Sequence, residues 1–207
     1  MKARFNSIVL LFLFVLTISC CKKYPYPPTF QLSENTPFAF IKTNVINSDS
    51  TVGQLVTTKL IEYLTYEQKG SFVETGSLEN ILSKYNTKEL TSDIIKKIGN
   101  DYNVKSLVYS EVEFSDIEPD FQINFVNPSF HANVKLTAVL RLKIYEIKNG
   151  SLIFIKTIEK KTELSNVYLS KDHLFFNSKT FDESQYNLID KLTWNITKDF
   201  RTIYKCK

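Results

Sequence analysis

Val134-Lys135-Leu136-Thr137-Ala138-Val139-Leu140-Arg141-Leu142-Lys143-Ile144 is the stretch on which the fold turns. Val134, Leu136, Ala138, Leu140, Leu142 and Ile144 alternate with Lys135, Thr137, Val139, Arg141, Lys143 and Tyr145. Strand side chains point to opposite faces in turn, so this period predicts a strand with one buried and one wetter face. Asn149-Gly150, the strongest short hairpin signal, follows four residues after Tyr145. It predicts that Leu152 to Glu163 returns antiparallel to the first strand.

Working outward from this hairpin, helical spacing takes over on both sides. Phe181 to Tyr204 predicts a last helix with Ile189, Leu192, Ile196, Phe200 and Ile203 as its core stripe. Upstream, Pro37 to Ile41 reads as a first strand and Asn44 to Ser50 as a turn. Ser50 or Thr51 caps a helix with Val52, Leu55, Val56, Leu60 and Leu64 inward, closed by Gly70. Ser71 to Glu74 is a short strand. Ser77 caps a brief helix, Thr91-Ser92-Asp93 opens a third that ends near Gly99, and Val104 to Phe114 is a strand. The fold class is therefore α/β (α+β): a single domain whose mixed sheet contains an antiparallel hairpin and is covered by helices.

The first residues have a different character. Lys2 and Arg4 precede an unbroken apolar run from Ile8 to Leu16, and Leu16-Thr17-Ile18-Ser19-Cys20 follows. Nine apolar residues are too few for a membrane-spanning helix, which needs about 20, but they suit the core of a secretory signal. A small residue before a cysteine at the end of such a run resembles a bacterial lipobox. That resemblance implies removal of residues 1–19 and lipidation of Cys20, although Thr17 stands where the pattern most often has Leu. Cys21 is the neighbouring candidate. Cleavage at this point removes Lys2 and Arg4 and lowers the formal charge from +4 to +2. Residues 20–36, with Pro25, Pro27 and Pro28, read as an anchor and extended tether. The domain proper is then 37–207.

Composition narrows the chemistry. The 26 Lys and Arg against 22 Asp and Glu, dispersed along the chain, exclude a dedicated nucleic-acid binder. Three cysteines and two histidines exclude a disulfide scaffold and leave little for a metal site. In an oxidising compartment, Cys21 and Cys206 are either paired or free. Glu111, Glu113, Asp116, Glu118 and Asp120 form the densest acidic stretch, but without the glycine turn and closing Glu of a calcium loop they read as a solvated edge. His131 and His173 lie in no ligand spacing. No nucleophile elbow, zinc-protease or phosphate-loop pattern occurs, so neither catalysis nor a cofactor is expected. Trp194 falls between Leu192 and Ile196, off the core stripe; rim packing is the simpler reading and a partner-facing aromatic the other. Phe121, Phe125, Phe130, Phe175 and Phe176 lie in the two longest expected loops and are the stronger interaction candidates.

Three stretches resemble the fold shared by curli-export lipoproteins, the TolB amino-terminal domain and lipoprotein activators of penicillin-binding proteins. The first is Leu55 to Leu60 with Phe72-Val73-Glu74 and Leu78 to Leu82. The second is Ile94 to Tyr102 leading into Val104. The third is Leu140-Arg141-Leu142 through Asn149-Gly150. The resemblance spans about Phe38 to Thr162 plus the last helix, and implies an envelope accessory or assembly role without chemistry. Curli-export members insert membrane hairpins, which here fall on Ser115 to Asn133 and Ser165 to Thr180. Ile123, Phe125 and Phe130 make one poor half of such a hairpin, broken by Pro128. Leu174-Phe175-Phe176 has Lys171, Asp172 and Lys179 close by. Loops that dock a partner fit these segments better than a pore does.

The expectation is a protein held at the outer membrane by lipid, facing the periplasm, that binds another envelope protein. Self-association, with a ring-forming secretion component as its extreme, and an envelope enzyme with an unrecognised site are the rival readings.

Overall fold

The structure is a computed structural model that describes residues 23–32, 37–115, 118–124, 129–164, 167–170, 173–176 and 178–206. Strands are β1 Lys23–Tyr26, β2 Phe38–Lys42, β3 Asn44–Ile46, β4 Phe72–Ser77, β5 Ser106–Phe114, β6 Glu118–Asn124, β7 Ser129–Glu146, β8 Ser151–Leu164, β9 Val167–Ser170, β10 His173–Phe176 and β11 Ile203–Cys206. Helices are α1 Ser50–Thr65, α2 Leu78–Lys84, α3 Ser92–Tyr102 and α4 Ser178–Ile196, continued by a 3₁₀ turn at Thr197–Phe200.

A mixed sheet of seven strands forms the centre. β2 runs parallel to both β4 and β5, and β3 continues it along β5. β7 is the spine. One of its edges takes β5, with Val112 opposite Leu140, and further along takes β6, with Phe121 opposite Ala132. The other edge takes β8 over its whole length, with Leu140 opposite Ile158. The period-two stretch that predicted this strand is accurate as far as it goes: Leu136, Ala138, Leu140, Leu142 and Ile144 are all buried.

Helices cover both faces. On one, α1 and α4 pack Val52, Val56, Leu60, Leu64, Leu188, Ile189, Leu192 and Ile196 against Phe38, Phe40, Val108, Val112 and the buried residues of β7. On the other, Ile81 of α2 and Ile94, Ile95 and Ile98 of α3 meet Ala39, Ile41, Leu107, Tyr109 and Ile147. The α1 face carries one polar seam. The Thr57 hydroxyl accepts the Thr43 amide at 2.9 Å and donates to the Gly53 carbonyl at 2.7 Å, and the Thr43 and Ser110 hydroxyls pair at 2.8 Å.

Several boundaries differ from the sequence reading for local reasons. α1 is capped by Asp49, whose carboxylate accepts from the Thr51 amide at 3.0 Å; a carboxylate one residue earlier takes the role expected of Ser50 or Thr51. α1 stops at Thr65, before Gly70. Ser77 and Thr91 cap α2 and α3 as expected. The turn between β7 and β8 spans residues 147–150, with the Gly150 amide donating to the Ile147 carbonyl at 3.1 Å and Gly150 at φ +65°. It is therefore longer than the two-residue turn that Asn-Gly favours. A bulge follows, because Ile144 opposes Phe154 and Tyr145 opposes Leu152, leaving Ile153 as the extra residue.

Larger differences lie in the expected loops and at the ends of the domain. Asn44–Ile46 is a strand, and the two expected loops contain strands β6, β9 and β10, with β7 beginning five residues before Val134. The last helix ends at Phe200, so Ile203 belongs to β11 and not to the helical stripe. The proline-bearing segment is docked. β1 pairs antiparallel with β11, and Phe30 packs against Phe154 and Phe200 with ring centroids 5.2 and 5.1 Å apart. The Gln68 amide nitrogen donates to the carbonyls of Phe30 and Phe200 at 3.0 and 2.8 Å, and Leu32 is buried. Proline stiffness predicts an extended path, which β1 keeps, but not that the chain stays clear of the core.

Candidate functional site

Four of the aromatic candidates, Phe121, Phe130, Phe175 and Phe176, lie on two antiparallel ribbons. β6 and the start of β7 set Phe121 opposite Ala132 and Ile123 opposite Phe130. β9 and β10 set Tyr168 opposite Phe175 and Val167 opposite Phe176. Phe125 and Cys20 lie outside the described residues, as does Cys21. Among the described residues β6 has seven residues, β9 and β10 four each, and β7 eighteen.

Trp194 lies far from these ribbons in the chain, on the outer side of α4. Its ring is held on three sides. The Arg201 guanidinium stacks 3.3 Å from its centroid, Tyr63 meets it edge-on at 5.1 Å, and Tyr66 does so at 6.5 Å. Arg201 also donates to the Trp194 carbonyl and, at 3.3 Å, to the Thr197 hydroxyl. Burial lowers the Arg201 pKa, against the neighbouring Glu67. The same wall continues through Tyr63, whose hydroxyl donates to Asp190 at 2.5 Å and whose pKa is pushed up to about 12 by burial and by that carboxylate. Lys59 closes it, with Asp190 at 3.4 Å and Glu62 at 3.3 Å. Trp194 is 43% exposed, so it is braced from below and open above. Beside it a groove of about 300 Å³ is lined by Lys198, Arg201, Thr202, Ile203 and Tyr204.

A third surface carries residues that were not singled out in the sequence. Among the described residues β8 pairs with β7 alone, so its outer edge is open. Leu152, Ile153 and Ile155 there are 45%, 45% and 56% exposed. Ile153 also borders a groove of about 440 Å³ with Val104, Lys105, Ser106, Glu146 and Ile147. The run Leu152-Ile153-Phe154-Ile155 is the signal: it is apolar on both strand parities, and only one parity can face α4. An open apolar edge is a template for pairing with another chain.

The groups that suggested chemistry are dispersed. Glu111 of the acidic stretch bridges Arg141 at 2.9 Å and the Tyr109 hydroxyl at 3.1 Å, a cross-strand ion pair and not a cation cage. Asp116 lies outside the described residues. His131 stands opposite Gln122 and His173 opposite Ser170, on different ribbons. Cys206 stands opposite Lys23. Among the described residues no three His, Cys, Asp or Glu side chains gather as metal ligands, and no helix is long and apolar enough to cross a membrane. A cleft of about 390 Å³ lies beyond the ends of β2 and β4, between Lys42, Asn44, Ser48, Ser50 and Glu79. The helix starts beside it are already capped by Asp49 and Ser77.

No family model and no curated protein matches the chain. Among solved structures it is similar to the PelC dodecamer from Paraburkholderia phytofirmans, at 7% identity over 87% of this chain and 96% of that one, with a TM-score of 0.48. It is similar to lipoprotein GNA1162 from Neisseria meningitidis at 12% identity over 63% and 85%, with a TM-score of 0.39. For the LpoB C-terminal domain from Salmonella enterica the values are 12%, 62% and 84%, with a TM-score of 0.38. Likeness at this level concerns the course of the chain and transfers no residue role.

Proposed function

We propose that this protein is a lipid-anchored component of the bacterial cell envelope whose α/β domain acts as a non-enzymatic binding or assembly module. The observation that carries the reading is the apolar run Ile8 to Leu16 ending in Ser19-Cys20, three residues before an exposed first strand. Lipid at Cys20 holds the domain at the outer membrane, facing the periplasm. Phe121, Phe125, Phe130, Phe175, Phe176 and Trp194 supply aromatic surface for another envelope protein. Metabolic labelling with radioactive palmitate tests the anchor: wild type takes up label and Cys20→Ala does not. Label retained by Cys20→Ala, and lost only in Cys21→Ala, moves the site by one residue. No label in wild type removes the anchor.

Self-association is a second reading, favoured by the open edge of β8 with Ile153 and Ile155 exposed. Light scattering on the purified protein tests it. A mass of several chains that falls to one on Ile155→Lys supports pairing through this edge; a single chain throughout rejects it.

A further inference from the structure

The ribbon made by β1 and β11 stands apart from the seven-stranded sheet. All four residues of β1 are exposed, and so are Tyr204 and Lys205 of β11. Register places Tyr24 opposite Lys205 and Tyr26 opposite Ile203, while Pro25 opposes Tyr204, so tyrosines emerge on both faces of the ribbon. Tyr24, Tyr26 and Tyr204 are 47%, 44% and 64% exposed. Lys205 lies over the Tyr26 ring at 4.8 Å. Neither strand contains an acidic residue. The flanking basic groups are Lys198 and Arg201; the flanking acids are engaged, Asp199 with Lys156 at 2.7 Å and Glu67 with the Thr202 amide at 2.5 Å. Ile203 is half-buried, but a two-stranded ribbon with so little buried surface is marginal in water. Tyrosine with lysine, apolar body and polar tip, is the side-chain chemistry of a membrane–water interface.

The direction of the chain supplies the occupant. β1 enters from Lys23, and Cys20 lies only three residues before it, within about 10 Å of extended chain. We propose that the β1–β11 ribbon is a membrane foot: it lies in the headgroup layer of an anionic bilayer, with Tyr24, Tyr26 and Tyr204 in the interface and Lys23 and Lys205 on the phosphates. The inference rests on the reading that the amino-terminal segment is membrane-anchored. It changes what that anchor does, since the domain is seated on the bilayer and does not swing on a tether. Trp194 and its groove are then held next to the membrane surface, while Ile153 and Ile155 lie on a separate strand edge available to a partner.

The test uses the chain from Cys21 onward, which contains every described element of the fold and no acyl chain, in flotation with vesicles of phosphatidylcholine containing 30% phosphatidylglycerol at low salt. The expected result is flotation with these vesicles and little with phosphatidylcholine alone. Lys23→Ala and Lys205→Ala each lower the partition coefficient about fivefold, the value of about 1 kcal/mol per basic residue at an anionic surface. The triple change of Tyr24, Tyr26 and Tyr204 to Ser abolishes flotation, whereas Tyr186→Ser, at an exposed tyrosine of α4, leaves it unchanged. Circular dichroism confirms that each variant is folded. A wild-type chain that stays with the bottom fraction, or a triple variant that floats as well as wild type, overturns the foot. Palmitate labelling of the full chain reads the anchor separately, so failure of one is distinct from failure of the other.

Discussion

The two faces of the central sheet solve the same burial problem to different extents. Under α1 and α4 the sheet is apolar from Phe38 and Phe40 across Val108 and Val112 to Leu136 through Ile144. On the other face α2 and α3 are short, with seven and eleven residues, and cover a smaller patch around Ala39, Ile41, Leu107, Tyr109 and Ile147, with Val73 and Tyr145 at its margin. Beyond their reach the same strands present Glu111, Glu113, Arg141 and Lys143, and β8 presents Ile155. The extent of helical cover, and not strand propensity, decides which positions can be polar. The apolar residues left outside that cover are therefore the ones with a role to find.

The largest contrast falls within one strand. Leu140 and Val139 are neighbours in β7, but Leu140 is fully buried under α4 and Val139 lies on the partly covered face. Leu140→Ala should cost about 2–5 kcal/mol, as for other large-to-small changes in a closed core. Val139→Ala should cost less than about 1 kcal/mol. Urea denaturation midpoints measure both, and equal losses would erase the distinction between the faces.

A smaller effect concerns the polar seam on the fully covered face. Thr57→Val removes the acceptor for the Thr43 amide and should cost about 1–3 kcal/mol, the penalty of a buried unpaired group. Thr57→Ser keeps the oxygen and should recover most of the loss. If valine matches serine in thermal denaturation, the seam adds nothing that apolar packing would not.

On the other face α3 packs closely against the β7–β8 turn. A Cβ on Gly99 would lie 1.9 Å from Cγ2 of Ile147 and 3.0 Å from its Cβ. Gly99→Ala should therefore cost about 1–3 kcal/mol by overpacking. The cost should shrink in an Ile147→Ala background, which a double-mutant cycle reads directly. Additive effects would place the strain elsewhere.

This contrast also explains what the sequence reveals. Period two in Val134 to Ile144 is visible because one face is fully buried, and the helical stripe of α4 is visible for the same reason. The ends of the domain are harder. Asn44–Ile46 is three residues long and half-buried, too short to show a period. β1 is exposed throughout and β11 exposes Tyr204 and Lys205, so nothing in Lys23-Tyr24-Pro25-Tyr26 or Ile203-Tyr204-Lys205-Cys206 separates a strand from a linker until the partner strand is known. Trp194 could be placed off the core stripe from spacing alone, but its bracing by Arg201 joins residues across a helix end that spacing does not predict. Ile153 and Ile155 were legible as apolar; that they face outward follows only from the register with β7.

The smallest effect lies where helical cover ends. Glu111 and Arg141 are directly opposed on β5 and β7 and pair at 2.9 Å, both partly solvated. A double-mutant cycle with Glu111→Gln and Arg141→Met should give a coupling of only about 0.2–1 kcal/mol. Glu111 has a second effect with a sharper readout. Burial first, and the Glu111 carboxylate next, push the Tyr109 hydroxyl above the ordinary tyrosine range. A raised pKa on this group means that folding favours its neutral form. That contribution is complete below the unfolded tyrosine value of about 10 and is lost as pH rises through the folded value. Glu111→Gln removes the charge but leaves the burial, so one tyrosine should titrate earlier in alkaline difference spectra while remaining above the ordinary range. An unchanged titration would leave burial as the whole cause, and would mean that the polar half of this face is too well solvated for one carboxylate to act on its neighbour.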